Sequence, residues 1–115
     1  MSNQIDVSLT ANTISGENKT LQIGRLKAGV GAFVRLVLLG RGTTALVVDR
    51  IDAAFEISST GVAKVQSVSQ DSRLGDTALT VTFAIEPVTY NLSMTFKGVS
   101  GQPVSWSVVG SLLIS

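Results

Sequence analysis

The sequence predicts an all-β fold, an antiparallel two-sheet β-sandwich of immunoglobulin-like or jelly-roll-like architecture, with a small barrel as the alternative. Three observations lead there. Apolar and polar residues alternate over much of the chain, as in a strand with one buried face. Turn-forming residues interrupt that alternation about every ten to fifteen residues, the rhythm of a sandwich or barrel. No segment keeps a helical period for the length of about ten residues that a globular helix needs. The 115 residues fit one domain, 1–115.

The first strand comes at once: Ile5, Val7 and Leu9 alternate with Asp6, Ser8 and Thr10. Ser15-Gly16-Glu17-Asn18 is a turn, because Gly and Asn tolerate positive φ. Leu21 and Ile23 mark a second strand. Gly24 to Gly31 holds three glycines and reads as a loop. Val30 to Leu39 is apolar on both faces apart from Arg35, so it is expected to be a central strand covered twice. Gly40-Arg41-Gly42 turns the chain into the β-branched Thr43–Val48. Asp49 to Ile57 fits a strand, with a short helix as the competing reading. Ser58-Ser59-Thr60-Gly61 is a hairpin loop leading into Val62–Val68, and Ser69 to Asp76 reads as a polar loop.

The last third is the most regular. Leu79, Val81, Phe83 and Ile85 are apolar at odd positions, whereas Val88, Tyr90, Leu92, Met94 and Phe96 are apolar at even ones. A strand cannot change parity without changing face, so Glu86-Pro87 must be a turn, a bulge or a corner. Val104, Trp106 and Val108 form a final strand, with Gly110 a predicted bulge or bend before Leu112–Ile114.

Composition excludes more than it assigns. The chain has no cysteine and no histidine, which removes disulfides, thiolate metal sites and the commonest general acid/base near neutral pH. Serines abound, but no base stands beside one in a recognisable motif. Gly40-Arg41-Gly42-Thr43-Thr44-Ala45 fits G-x-G-x-x-A, yet the next segment is β-branched and no βαβ alternation surrounds it; a glycine-rich hairpin turn is the better reading. Asp49, Asp52 and Glu56 lack the density and spacing of a calcium loop and read as solvated charges. Trp106 reads as core rather than as a ligand platform. No catalytic, cofactor-binding or metal-binding residue is therefore assigned, and the chain is not expected to be an enzyme.

Net charge is +1, which gives no global pull toward nucleic acid or an anionic membrane. Arg25, Lys27, Arg35 and Arg41 nevertheless lie in a stretch free of acids between Glu17 and Asp49, and these four are the candidate partner contacts. Nucleic acid is disfavoured as that partner, because the nearby aromatic, Phe33, sits in the apolar run and is expected in the core, out of reach for stacking. The longest apolar run is half of a membrane span, and Met1-Ser2-Asn3-Gln4 opens no signal peptide, so synthesis in the cytoplasm without a membrane anchor is expected.

Charged residues make up only 15% of the chain while apolar ones make up 44%. So little charge on so small a domain predicts that a partner covers part of the surface. In size and general character, over the whole chain, the sequence resembles the small β-rich accessory proteins of tailed-phage virions: capsid decoration, collar and tail components. No motif carries the resemblance and it transfers no residue. It implies a non-enzymatic structural subunit of a virion, a homo-oligomer joining neighbouring protein subunits. The N-terminal segment and the Gly24–Gly31 loop are then the expected contact elements. The competing expectation is a monomeric binding module that recognises a glycan or a protein surface.

Overall fold

The computed structural model describes residues 3–14, 16–44, 46–75, 81–98 and 101–115, with the backbone alone at 3 and 66–75. Among the described residues eight strands form: β1 (Asn3–Thr13), β2 (Asn18–Arg25), β3 (Gly31–Gly42), β4 (Leu46–Ile57), β5 (Ala63–Gly75), β6 (Val81–Ile85), β7 (Asn91–Lys97) and β8 (Val104–Ile114). They make a five-stranded sheet, β1-β8-β3-β4-β5, and a three-stranded sheet, β2-β7-β6. Every pairing is antiparallel. The two sheets stay open, so the fold is a β-sandwich and the barrel alternative is set aside. Among the described residues no helix is long and apolar enough to cross a membrane.

Alternation places the core. Leu36, Leu38 and Val34 point inward from β3, Val47, Ile51, Ala53 and Phe55 from β4, and Val104, Trp106, Val108 and Leu112 from β8. Leu92, Met94 and Phe96 of β7 meet them from the smaller sheet. Two aromatic pairs span the layers. Phe96 lies 5.3 Å from Trp106, and Phe55 meets Phe83 edge-on at 5.6 Å. Trp106 donates its indole N–H to Thr13 Oγ1 at 3.0 Å, which satisfies the one polar atom a buried tryptophan brings with it.

The glycines of the G-x-G-x-x-A run serve packing. Gly40 stands opposite Trp106, and a Cβ there would lie 3.0 Å from both the indole and Val47. A Cβ on Gly42 would meet the Gln102 side chain, which accepts from Thr44 N at 3.0 Å and so braces the β3–β4 turn. The run does lead into a hairpin, but Gly40-Arg41-Gly42 are the last paired residues of β3 and not the turn itself, which begins at Thr43.

Several expectations need correction. Ser69–Gly75 is not a loop: it continues β5, whose pairing with β4 supplies the hydrogen bonds that its polar side chains do not advertise. Gly24 and Arg25 still belong to β2, so the loop is residues 26–30. Thr43 and Thr44 lie in the turn, and Val88 and Tyr90 lie in the β6–β7 turn, not in β7. Gly110 makes no bulge, since β8 keeps unbroken register with β1 and β3. Asp49 is buried on the inner face of β4, where its odd parity places it with Val47 and Ile51. Asp49–Ile57 is strand throughout. The readings of Asp76 and Leu79 fall outside the described residues.

Candidate functional site

The outer face of the five-stranded sheet is set by parity. Residues flanking inward positions on β8, β3 and β4 all face away from the smaller sheet. The register stacks them in rows: Leu113 beside Phe33 and Ala54, Ser111 beside Arg35 and Asp52, Val109 beside Val37 and Arg50, Ser107 beside Leu39 and Val48, Ser105 beside Arg41 and Leu46. Phe33, Val37, Leu39, Leu46, Val48, Val109 and Leu113 are each between 37% and 50% exposed. Together they present on the order of 500 Å² of apolar surface, in the upper part of the range for a monomer's largest patch, which is often a functional one. The first half of the expectation for Val30–Leu39 is met: β3 is the central strand and its inner face is core. Its outer face is bare in the single chain, and Phe33, expected in the core, stands exposed on it.

Arg35 and Arg41 stand on this face, six residues apart on one strand. Arg35 Nε lies 3.6 Å from Asp52 Oδ1 across the β3–β4 pair, a distance for charge attraction rather than a hydrogen bond. Arg35 is largely exposed, so the pair adds little stability and chiefly fixes the local charge.

Arg25 and Lys27 are elsewhere. They sit where the β2–β3, β4–β5 and β6–β7 connections gather at one end of the sandwich. Leu26 N donates to Tyr90 O at 2.9 Å, Gly29 N to Ile57 O at 2.8 Å, and Tyr90 Oη to Gly61 O at 3.2 Å. A groove of about 540 Å³ opens there, with Arg25, Lys27, Val88, Thr89 and Tyr90 in its walls. Arg25 Nε is anchored on Thr89 O at 3.2 Å. The four candidate contacts are thus two pairs on two surfaces, and no single basic face joins them.

Tyr90 holds φ 59°, a left-handed conformation that costs a non-glycine residue about 1 kcal/mol or more. Its hydroxyl reaches the Gly61 carbonyl across the sandwich, and a Cβ on Gly61 would press to 2.7 Å from that oxygen. Strain at Tyr90 is therefore exchanged for a tie between the two sheets.

Glu86 holds the same turn. Its carboxylate accepts from Val88 N at 2.9 Å, from Thr89 N, and from Thr89 Oγ1 at 2.8 Å. The Thr89 amide, then its hydroxyl, then Val88 N favour the charged form and hold this carboxyl below its ordinary value. The folded-state pKa is thus below the unfolded one, so the turn's support is complete above the unfolded value and is lost as pH falls through the folded one. Amide signals of Val88 and Thr89 in NMR should titrate with a midpoint below the usual glutamate range, and Glu86→Gln should abolish the titration. A midpoint at or above that range contradicts this geometry.

Among the described residues no three Asp or Glu side chains gather as a metal site.

No protein-family model matches the chain, and no curated protein matches it. Among solved structures it is similar to the crystal structure of the tailspike protein of Acinetobacter phage vB_ApiP_P1, at 14% identity and a TM-score of 0.43, over 88% of this chain and 21% of that one. The chain therefore spans about a fifth of that tailspike's length.

Proposed function

We propose that this chain is a non-enzymatic structural subunit that joins neighbouring protein subunits through the outer face of its five-stranded sheet. The observation that carries the reading is the run of half-exposed apolar side chains on β8, β3 and β4, among them Phe33, Val37, Leu39 and Val109. A sheet face of this kind is normally packed in a sandwich. The scarcity of charge over the whole chain supports the same conclusion. The particle would be a virion, with the chain as a capsid decoration, collar or tail accessory component; that choice rests on the resemblance in size and character.

A second reading has its own observation, the end groove with Arg25 and Lys27 in its walls. A guanidinium anchored through Nε leaves its two terminal nitrogens to take a carboxylate or phosphate group. On that reading the chain is a monomeric module that binds an acidic glycan or an acidic protein surface.

One experiment separates them. Light scattering coupled to size exclusion should give a closed oligomer for the wild type over a dilution series, and Val37→Asp should shift it to a smaller species with circular dichroism unchanged. A wild-type monomer of 12.0 kDa at every concentration overturns the assembly reading. If that monomer also binds a polyglutamate peptide, and Arg25→Ala abolishes the binding, the second reading replaces it.

A further inference from the structure

A sheet edge is a row of unpaired N–H and C=O groups, and proteins blunt such edges with bulges, lysines, prolines or shortness. Among the described residues the sandwich has four edges, and three of them are blunted. β5 pairs with β4 through two register shifts. β2 carries Lys19 and Arg25, and its register shifts between Gln22 and Gly24. β6 is five residues long and runs into Glu86-Pro87.

β1 differs on every count. It is 11 residues long, holds continuous register with β8 from Asn3 to Thr13, and contains no proline, lysine or arginine. Its one charge is Asp6. Among the described residues its other side faces no strand of its own sheet.

We propose that this edge is a self-pairing site, at which a second copy of the chain adds its β1 antiparallel and the two five-stranded sheets run on as one. The strand's own sequence favours that occupant. Full overlap of two antiparallel β1 strands sets Asn3 opposite the other Thr13 and puts Ser8 opposite its own copy. The same register pairs Val7 with Leu9 and Ile5 with Ala11 on the inner side, and Asp6 with Thr10 and Gln4 with Asn12 on the outer side. Apolar meets apolar, polar meets polar, and the two Asp6 carboxylates stand apart. Ile5, which is inward by parity yet 45% exposed, gains a neighbour it lacks in the single chain. Such pairing obeys a two-fold axis through Ser8 and leaves the outer apolar face of both copies free for further contacts. The proposal names one contact within the assembly reading and rests on it.

The chain has no cysteine, so single cysteines report proximity cleanly. Purified Ser8→Cys, treated with a mild oxidant or a short bis-maleimide, should yield a covalent dimer. Gln4→Cys and Asn12→Cys should crosslink when mixed and not separately. Ser8→Lys, which sets two ammonium groups face to face, should weaken the dimer about tenfold or more. An oligomeric wild type whose Ser8→Cys form does not crosslink overturns the edge pairing and leaves the assembly reading standing. Crosslinking of Asn12→Cys alone, as readily as Ser8→Cys, overturns the register and with it the proposal. A wild type that is monomeric at every concentration overturns both.

Discussion

Trp106→Ala is expected to destabilise the fold by about 3–5 kcal/mol, the range for truncating a large buried aromatic. The indole is 2% exposed and lies between the sheets. It packs on Phe96, fills the space that Gly40 leaves open and donates its N–H to Thr13. Truncation opens a cavity that a sandwich core fills poorly, and it takes from the buried Thr13 hydroxyl its hydrogen-bond donor, worth about 1 kcal/mol. A small domain has about 5–15 kcal/mol to lose, so the variant gives up between a fifth and all of the stability. Because Trp106 is the only tryptophan, the measurement is urea unfolding followed by far-UV circular dichroism. Trp106→Phe, which keeps most of the volume but loses the N–H and the rest of the five-membered ring, should lie well between wild type and Trp106→Ala. A loss below about 1 kcal/mol for Trp106→Ala would show that the indole does not hold the two layers together.

Much of this arrangement was legible in the residues, and the reasons are specific. The parity change across Glu86-Pro87 called for a turn, a bulge or a corner, and the structure has a turn there, braced by Glu86. Val104, Trp106 and Val108 share parity and share the core. β5 was harder to see. As an edge strand it needs only one paired side, and Ser69-Gln70-Asp71-Ser72-Arg73 has the composition of a loop, so β4 imposes a strand that local propensity does not announce. The opposite error occurred at Val88 and Tyr90. Their parity matches β7, yet Val88 is 80% exposed in the turn and Tyr90 is left-handed. Asp49 shows a third limit: parity alone puts it inside, while chemical type argues for solvent, and the sheet obeys parity.

The candidate surfaces divide in the same way. Arg35 and Arg41 differ by an even number on one strand, so their shared face is a consequence of period two. Arg25 closes β2 in the smaller sheet and Lys27 lies in the loop after it, so sequence proximity to Arg35 says nothing of spatial proximity. The doubly apolar character of Val30–Leu39 carried the strongest functional signal. A strand needs one apolar face for its own core, and β3 has two. The surplus face calls for a covering, and β1 offers the kind of edge through which a neighbouring copy can be brought alongside. The two features use different chemistry, side-chain burial on one and backbone hydrogen bonds on the other, so they can serve different neighbours at once.

Gly110→Ala is expected to cost about 3 kcal/mol or more, out of scale with the loss of one hydrogen atom. Gly110 lies mid-strand in β8, opposite Val7 of β1 and Leu36 of β3. A Cβ there would fall 1.9 Å from the Arg35 carbonyl oxygen and 2.9 Å from Leu36 Cα. Both are backbone atoms, and neither can rotate aside as a side chain would. The added methyl must therefore push β3 and β8 apart at the centre of the five-stranded sheet. Gly29→Ala provides the comparison. Gly29 has φ 79° with open space at its missing Cβ, so alanine meets only left-handed strain of about 1–2 kcal/mol. Urea midpoints of the two variants should differ clearly, with Gly110→Ala the lower. Because β3 and β8 also carry Phe33 beside Leu113 and Val37 beside Val109, parting them splits the outer apolar face. Whatever Gly110→Ala protein remains folded should then fall to a smaller species by light scattering, while Gly29→Ala keeps the wild-type mass. Equal stability of the two variants would show that the strands yield at Gly110, and that the close β3–β8 approach is not what holds this face together.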